Sequence, residues 1–284
     1  MEKIPDWLRL WEDLARIQDR YHTSNRARQK KQDAWQGRAR KFDGSVKKRW
    51  TRPDASRDFL IRILEQTPNA TVVDIGAGTG AWAVLMARHA RQITAVEPSD
   101  AMCAIMEEKL AAENITNVTL VKGSWPEVEV APHDICFASH SMYGIPDFKG
   151  FVMEMIRKSR QRCFLLLRVL APDGVMAKAA LRVWGQPFDS PNFQVAYNAL
   201  LQMEICPDVI METPGGWEPW THDSIEAALD EVRRRFDLGD DHTHDDFLYS
   251  LLETSLKHEN NRYVWPIGTR SGMIHWCVDK QGFR

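Results

Sequence analysis

The 284-residue chain contains 44% hydrophobic and 27% charged residues. None of its apolar runs reaches the roughly 18 residues that a membrane-spanning helix requires. The five cysteines are widely spaced, which argues against a disulfide framework or a structural zinc site and is typical of a reducing compartment. These features exclude integral membrane, disulfide-scaffold and wholly disordered proteins, and they predict a globular cytoplasmic protein.

The net charge of −2 averages two regions of opposite sign. Residues 1–52 hold 15 Lys and Arg against 7 Asp and Glu, a net of +8, whereas residues 53–284 hold 22 against 32, a net of −10. A basic arm of this kind could bind nucleic acid or an anionic substrate. Alternatively, it could form a lid that docks on its own acidic body. The arm lacks an RNA-binding signature and contains several tryptophans that suit docking, which favours the lid.

The first elements in chain order are helical. Apolar side chains recur at helical spacing over residues 6–18 and again over residues 54–66, which predicts two amphipathic helices. The intervening residues 22–52 are polar and basic with little periodicity, so we expect this stretch to be mobile.

From residue 71, short apolar segments alternate with helical ones. The predicted strands are 72–76, 93–96, 118–121, 134–138 and 163–169, and the predicted helices are 81–90, 99–110 and 151–156. Strands that are continuous apolar runs and alternate with helices indicate a parallel sheet covered on both faces.

Beyond residue 170 the alternation loosens. The pattern predicts helices at 192–204, 224–236 and 244–259, a strand at 209–211, and a closing hairpin of 262–267 with 273–278. Asp223 and Glu226 are spaced as a capping box for the second of these helices. The predicted fold is α/β: a Rossmann-like, doubly wound, seven-stranded, mostly parallel sheet with helices on both faces and a C-terminal antiparallel hairpin. Residues 53–284 form this domain, with helical insertions at about 185–205 and 215–260.

The most informative segment is a glycine-rich turn between the first strand and its helix. It reads Asp74-Ile75-Gly76-Ala77-Gly78-Thr79-Gly80-Ala81. Glycines allow positive φ and close approach of a ligand to backbone N–H groups that converge at a helix start. Glu97 ends the next strand, where a carboxylate can accept hydrogen bonds from both hydroxyls of a ribose. The expected ligand therefore carries a nucleoside.

Two details distinguish between nucleoside cofactors. Gly76, Gly78 and Ala81 satisfy the dinucleotide fingerprint, which alone would also suit NAD. Asp74, however, would repel a pyrophosphate and suits an ammonium group, and Gly80 opens the turn for an amino-acid moiety. A ligand with adenosine at one end and an amino acid at the other is S-adenosylmethionine.

The glycine turn, followed by Ala-Val-Glu-Pro-Ser at 95–99, resembles the class I S-adenosylmethionine-dependent methyltransferases, and most closely the small-molecule methylases of the quinone-biosynthesis type. The resemblance is specific over residues 71–125. It implies contacts to the methionine end from the start of the turn, a turn shaped by its later glycines, and a ribose site at the end of the second strand. The residues implied for the methionine end are Asp74, Gly76 and Ala77. Gly78 and Gly80 would shape the turn. Glu97 would bind the ribose, with Pro98 and Ser99 at the edge of that site.

The adenine end departs from the family pattern. Where the family often has an acidic residue after the third strand, this chain has Ser124 and Trp125. We expect Ser124 to hydrogen-bond to the adenine and Trp125 to stack on it.

The reacting end is expected after the fourth strand. Methyl transfer from a sulfonium is an in-line displacement, so the protein mainly aligns the acceptor, and a general base helps only when the acceptor loses a proton. Because ligands lie outside the carboxyl ends of the strands, His140 and Tyr143 should face the methyl group. His140 is a candidate base or a positioning residue, and Tyr143 is a candidate wall.

A segment before the domain resembles a lid. Trp35-Gln-Gly-Arg38-Ala-Arg-Lys-Phe42 is similar to the Trp-x-x-Arg-Ala-x-x-Phe/Tyr segment of related methylases, which covers cofactor and substrate. The resemblance implies that Trp35 and Phe42 close the site and that Arg38 pairs with an acidic substrate group or with the cofactor carboxylate. The alternative is an ordinary surface helix.

The predicted function is methyl transfer from S-adenosylmethionine to a small molecule, with aromatic walls that suit a planar or apolar acceptor. A nucleic-acid methyltransferase is the first alternative, although the chain lacks the Asn/Asp-Pro-Pro-Tyr/Phe and Pro-Cys motifs of base methylases. The second alternative is a non-catalytic cofactor-binding accessory protein. No bound metal is expected, because His242-x-His244 is interpreted as part of a solvated acidic turn. The sequence leaves the acceptor and the oligomeric state open.

Overall fold

The computed structural model of the protein describes residues 5–26, 33–213 and 217–278. The described residues form ten strands and ten helices. The strands are β1 (Thr71–Ile75), β2 (Gln92–Glu97), β3 (Val118–Lys122), β4 (His133–Ser139), β5 (Ser159–Val169), β6 (Asp208–Met211), β7 (Thr221–His222), β8 (Lys257–Glu259), β9 (Arg262–Val264) and β10 (Arg270–Cys277). The helices are α1 (Trp7–Arg26), α2 (Ala39–Trp50), α3 (Ala55–Gln66), α4 (Ala81–Ala87), α5 (Asp100–Ala112), α6 (Phe148–Lys158), α7 (Val175–Trp184), α8 (Phe193–Gln202), α9 (Ile225–Arg235) and α10 (Asp245–Ser255).

The predicted central sheet is confirmed. Seven strands pair in the order β3-β2-β1-β4-β5-β10-β6, and every pairing from β3 to β5 is parallel. β1 lies in the middle of this parallel part and is buried over its whole length, because its apolar side chains must be covered on both faces.

Helices cover both faces of the sheet, as the alternation of strands and helices predicts. Val73 and Ile75 point to a core that includes Trp11 of α1 and Phe148 of α6. Val72 points the opposite way, because successive side chains of a strand alternate, and it packs in the core with residues of α3, α4 and α5. The sheet therefore separates two apolar cores.

The last strand is antiparallel, but the predicted hairpin is wrong in its pairing. β10 lies between β5 and β6 and runs antiparallel to both. β9 instead joins β7 and β8 in a small separate sheet. The reason is Trp265, directly after β9, whose side chain is buried in the apolar cluster of α7, α9 and α10. Burial of this indole directs the chain away from a tight turn.

Two further predictions in the C-terminal half need correction. Ser224, not Asp223, caps α9, since its hydroxyl accepts the N–H of Ala227 at 3.1 Å. Asp223 pairs with Arg262 instead, at 3.1 Å. The helix expected over 244–259 ends at Ser255, and the following residues pair as β8. α7 has no counterpart among the predicted elements.

The N-terminal region is more ordered than the sequence pattern indicates. α1 continues past the predicted end at residue 18, and α2 occupies much of the stretch expected to be mobile. Residues 27–32 of that stretch lie outside the described residues. Trp11 is fully buried and donates its indole N–H to the carbonyl of Ile145 at 2.9 Å, and Asp43 of α2 forms an ion pair with Lys109. These contacts attach both helices to the sheet domain.

None of the described helices combines the length and the apolar character that spanning a bilayer requires.

Candidate functional site

A cavity of about 520 Å³ opens at the carboxyl ends of β1, β2, β4 and β5. This edge of a doubly wound sheet is where ligands generally bind, and the volume is in the range of small-molecule sites. The strand ends contribute Asp74, Glu97 and Arg168 to its lining, while α1 contributes Ile17 and α2 contributes Arg49. The two N-terminal helices thus cover a site that the sheet provides.

The glycine turn has the conformation that its sequence requires. Gly76 and Gly80 have φ values of +68° and +78°, a region that side chains with a Cβ rarely adopt. A Cβ on Gly76 would overlap the side chain of Ser141, and one on Gly80 would lie 2.5 Å from Cγ of Met106. The turn therefore needs glycine both for its backbone and for its close packing.

Glu97 is held by backbone N–H groups at the edge of the cavity. Its Oε2 accepts the N–H of Gly78 at 2.8 Å, and its Oε1 accepts the N–H of Ser99 at 2.9 Å. The side chain is 95% buried, and this burial raises its pKa, although the two N–H donors oppose the shift. The two N–H groups fix the Glu97 side chain in place. Because each carboxylate oxygen can accept a second hydrogen bond, Glu97 can still bind two ligand hydroxyls.

Asp74 is a buried carboxyl that lacks a balancing group. Its Oδ2 has no hydrogen-bond partner among the described residues, and only 1% of the residue is exposed. Burial, together with the negative charge of Glu97, raises its pKa to about 8. A ligand ammonium group at this point would supply the missing donor and favour the ionised carboxylate. The site therefore fits the cationic amino-acid end of S-adenosylmethionine.

His140 lies at the end of β4 within a closed hydrogen-bond network. Its Nδ1 lies 2.7 Å from the hydroxyl of Tyr143, and its Nε2 lies 3.2 Å from Oγ of Ser271. The Tyr143 hydroxyl accepts the backbone N–H of Arg168 at 2.7 Å, so its own proton is directed at Nδ1. We therefore assign the ring proton to Nε2.

The protonation state of His140 also bears on its role. Burial lowers its pKa to about 3, with a further contribution from the positive charges of Arg49 and Arg168. A neutral imidazole with partners on both nitrogens suits a positioning residue better than a general base. Burial also raises the pKa of Tyr143, which keeps its hydroxyl protonated as the donor to His140.

Several other predicted site residues line the same cavity. Ala77 lies in the turn and Pro98 follows Glu97. Trp35 and Phe42 face them from the N-terminal segment, with ring centroids 5.0 Å apart. Ser99 lies behind them, where its hydroxyl donates to Asp33 of that segment at 2.7 Å. The structure thus brings the glycine turn and the predicted lid together.

Three predicted residues lie elsewhere. Arg38 is exposed, and its guanidinium donates to the carbonyl of Ala34, so it does not reach the cavity. Trp125 is buried in the core, where its indole N–H donates to the carbonyl of Phe151 at 3.3 Å. Ser124, just before it, is exposed and does not line the cavity. The positions of Ser124 and Trp125 do not match the expected adenine contacts, because apolar packing draws the indole inward.

Three arginines that line the cavity were not predicted from the sequence: Arg49, Arg168 and Arg235. Arg168 had a detectable signal, since it is the one charge within the apolar run 163–169. Arg49 belongs to a basic run that looks like a solvated helix end, and Arg235 belongs to an arginine run at the end of α9. Those two patterns carry no indication of a shared site.

Comparisons with known proteins agree with the geometry of the cavity. Residues 72–162 match a family model described as a methyltransferase domain. The demethylmenaquinone methyltransferase of Porphyromonas gingivalis is 27% identical over 128 residues, which cover 43% of this chain and 52% of that protein. A probable ribosomal RNA small subunit methyltransferase A of Methanosphaera stadtmanae is 23% identical over 94 residues, which cover 33% of this chain and 35% of that protein. The chain thus spans between about a third and about half of the length of these relatives.

The fold is shared with a solved structure, that of the YcgJ protein from Bacillus subtilis. The two chains are 15% identical and superimpose with a TM-score of 0.51, over 80% of this chain and 99% of the other. The matched domain and the demethylmenaquinone methyltransferase confirm the predicted resemblance to methyltransferases. Residues 72–162 thus form a methyltransferase domain that resembles those of the class I S-adenosylmethionine-dependent methyltransferases.

Proposed function

We propose that the protein transfers the methyl group of S-adenosylmethionine to a small-molecule acceptor. The observation that carries this proposal is the buried pair of carboxyl groups, Asp74 and Glu97, on either side of the glycine turn in one cavity. A cationic amino acid and a ribose diol are the two groups that such a pair would bind. An acceptor would lie beside them, against the part of the lining that includes Tyr143 and Trp217.

Each part of the proposed ligand would have its own residues in this chain. Asp74 would bind the ammonium group, Glu97 the ribose hydroxyls, and the glycine turn would let the ligand approach the backbone. When bound, the cofactor supplies an electrophilic methyl group on a sulfonium centre. Tyr143, held in place by His140 and by the backbone N–H of Arg168, would form a wall beside the acceptor, and α1 and α2 would exclude water.

The ion pairs of the basic arm support a small acceptor over a nucleic acid. Arg40 binds Glu108 through two hydrogen bonds of 2.7 and 2.6 Å, and Lys48 forms an ion pair with Glu218. Affinity for nucleic acid comes largely from counterions that protein cations displace from the phosphate backbone. Cations that already pair with carboxylates within the protein would displace few of them. The arm then acts as a cover for the site.

A labelling experiment tests the proposal. The full chain is incubated with S-adenosylmethionine that carries a labelled methyl group, and with separate pools of cellular small molecules, RNA and protein. We expect label in the small-molecule pool, its loss in Glu97→Ala, and its retention in Glu113→Ala, which changes an exposed glutamate at the end of α5. Label in RNA alone would favour the nucleic-acid alternative. Cofactor binding without label in any pool would favour the accessory role.

A further inference from the structure

Two guanidinium groups in the cavity form no ion pair with a carboxylate of residues 5–26, 33–213 or 217–278. No carboxylate oxygen of the described residues lies within 4.0 Å of Arg49 or Arg168. Arg49 instead packs over the ring of Trp217 at 4.5 Å, and Arg168 packs over the ring of Tyr143 at 4.8 Å. Both side chains therefore bring positive charge to the cavity without a counterion from the described part of the chain.

Arg168 also has an unsatisfied donor. One of its terminal nitrogens donates to Oγ of Ser190 at 3.2 Å, but its Nε is buried and has no hydrogen-bond partner among the described residues. Such a donor is costly unless something in the completed site accepts from it. An acceptor atom from a ligand would remove this cost.

A third arginine of the cavity shows the contrasting case. Arg235 packs over Trp220 at 4.2 Å but has two acidic partners, Asp189 at 3.5 Å and Glu231 at 3.2 Å. Its charge is balanced within the protein. Asp54, which acts on Arg49 from a distance, is itself paired with Arg57 at 3.5 Å. The excess positive charge is thus specific to two of the three arginines.

The positions of these two arginines in the fold separate them from the proposed cofactor site. Asp74 and Glu97 lie at the ends of β1 and β2, whereas Arg168 lies in β5, beyond β4. Arg49 reaches the same side from α2, since both arginines act electrostatically on His140. They therefore face the part of the cavity that the acceptor would occupy.

We propose that Arg49 and Arg168 bind an anionic group, a carboxylate or a phosphate, on the methyl acceptor. This inference rests on the proposed function. A guanidinium fork matches the geometry of either group and forms charge-assisted hydrogen bonds. The rings of Trp217 and Tyr143, which already pack on the two arginines, present apolar faces to the remainder of the acceptor. The substrate class is thus an acidic small molecule with an apolar or planar body.

Three aromatic probes, two anionic and one neutral, test this inference. Benzoate, phenyl phosphate and the neutral benzamide are titrated by calorimetry into the full chain, both free and in the presence of adenosylhomocysteine. We expect at least one anion to bind roughly tenfold or more tightly than benzamide, as a charged hydrogen bond predicts. The stronger of the two anions identifies the group as carboxylate or phosphate. Arg168→Gln and Arg49→Gln should each remove most of the preference, and the matched control Arg182→Gln, a stacked arginine on α7, should keep it.

Two outcomes would overturn the inference. One is equal affinity for all three probes, or a preference that survives Arg168→Gln, in both the free and the loaded protein. The other is an Arg49→Gln variant that loses affinity for adenosylhomocysteine while it keeps the anion preference, which would assign Arg49 to the cofactor carboxylate. Failure of adenosylhomocysteine to bind would contradict the proposed function, whereas the titrations of the free protein still decide the anion site.

Discussion

The two halves of the cavity are built in different ways. The half around β1 and β2 comes from one short segment, 74–80, together with Glu97, and most of its hydrogen bonds involve backbone N–H groups. The half around β4 and β5 comes from side chains of distant segments, among them Arg49, Arg168 and Trp217. A turn that binds through backbone groups suits a cofactor that is the same for every acceptor. Scattered side chains can be replaced one at a time, so the acceptor half is free to differ between proteins that share this domain.

The halves also differ in charge. Asp74 and Glu97 are acidic, whereas on the other side the guanidinium groups of Arg49 and Arg168 have no carboxylate partner where the structure describes the chain. This separation matches a cationic cofactor on one side and an anionic acceptor on the other. It also makes the comparison testable, because substitutions in one half should leave the other intact.

The largest effect is expected in the turn itself. Gly76→Ala places a Cβ against Ser141 in a left-handed backbone conformation, so we expect a loss of about 2–4 kcal/mol in the free energy of unfolding, and a loss of cofactor binding. Urea denaturation followed by circular dichroism measures the first loss.

The matched control for this change is Gly144→Ala, in the loop after β4, where a Cβ meets nothing within 4 Å. It should alter the free energy of unfolding by less than about 1 kcal/mol. A Gly76→Ala variant as stable as this control would show that the turn tolerates a side chain.

A second prediction uses the carboxyl group of Asp74. Its folded pKa of about 8 exceeds its unfolded value of 3.8, so this group favours folding below pH 4, and its contribution is lost progressively as the pH rises towards 8. In the ligand-free protein, Asp74→Asn should therefore raise the melting temperature by several degrees at pH 8, with a gain that shrinks towards zero near pH 4. Thermal melts across this range measure it, and a gain independent of pH would contradict the shifted pKa.

The smallest effect is expected at His140. If this residue positions its neighbours, His140→Asn, which can keep a hydrogen bond to Tyr143 and tolerates the φ of +55°, should lower kcat by about fivefold, the equivalent of about 1 kcal/mol. A general base would instead contribute roughly 100-fold or more. A loss of that size, with an unchanged KM for the acceptor, would support the base hypothesis.

The contrast between the halves explains what the sequence could predict. The strand, glycine turn, helix and Glu97 lie within one local stretch whose spacing is set by backbone geometry, so both the fold of this region and its candidate ligand contacts follow from the pattern. Arg49 and Arg168 are 119 positions apart in the chain, and only folding brings them to the same cavity. A single sequence shows each of them as an ordinary arginine.

The errors in the prediction have a common cause, which is tertiary packing. Trp125 follows β3 at a position that suits adenine, but the indole finds a better environment beside Phe151 in the core. Burial of Trp265 likewise prevents the hairpin that the sequence pattern predicts between 262–267 and 273–278. The polar stretch before residue 52 hides α2, because the apolar face of that helix is short and its stability comes from contacts with α5.

The most direct test of the whole account is a calorimetric titration of S-adenosylmethionine into the full chain, Glu97→Ala and the control Glu113→Ala. We predict saturable binding to the unaltered chain, and a loss of about 1–3 kcal/mol in binding free energy for Glu97→Ala, since two charged hydrogen bonds to the ribose disappear. Glu113→Ala should bind as the unaltered chain does. Equal affinity of all three proteins for S-adenosylmethionine, or tighter binding of NADH than of S-adenosylmethionine, would contradict the assignment of this cavity.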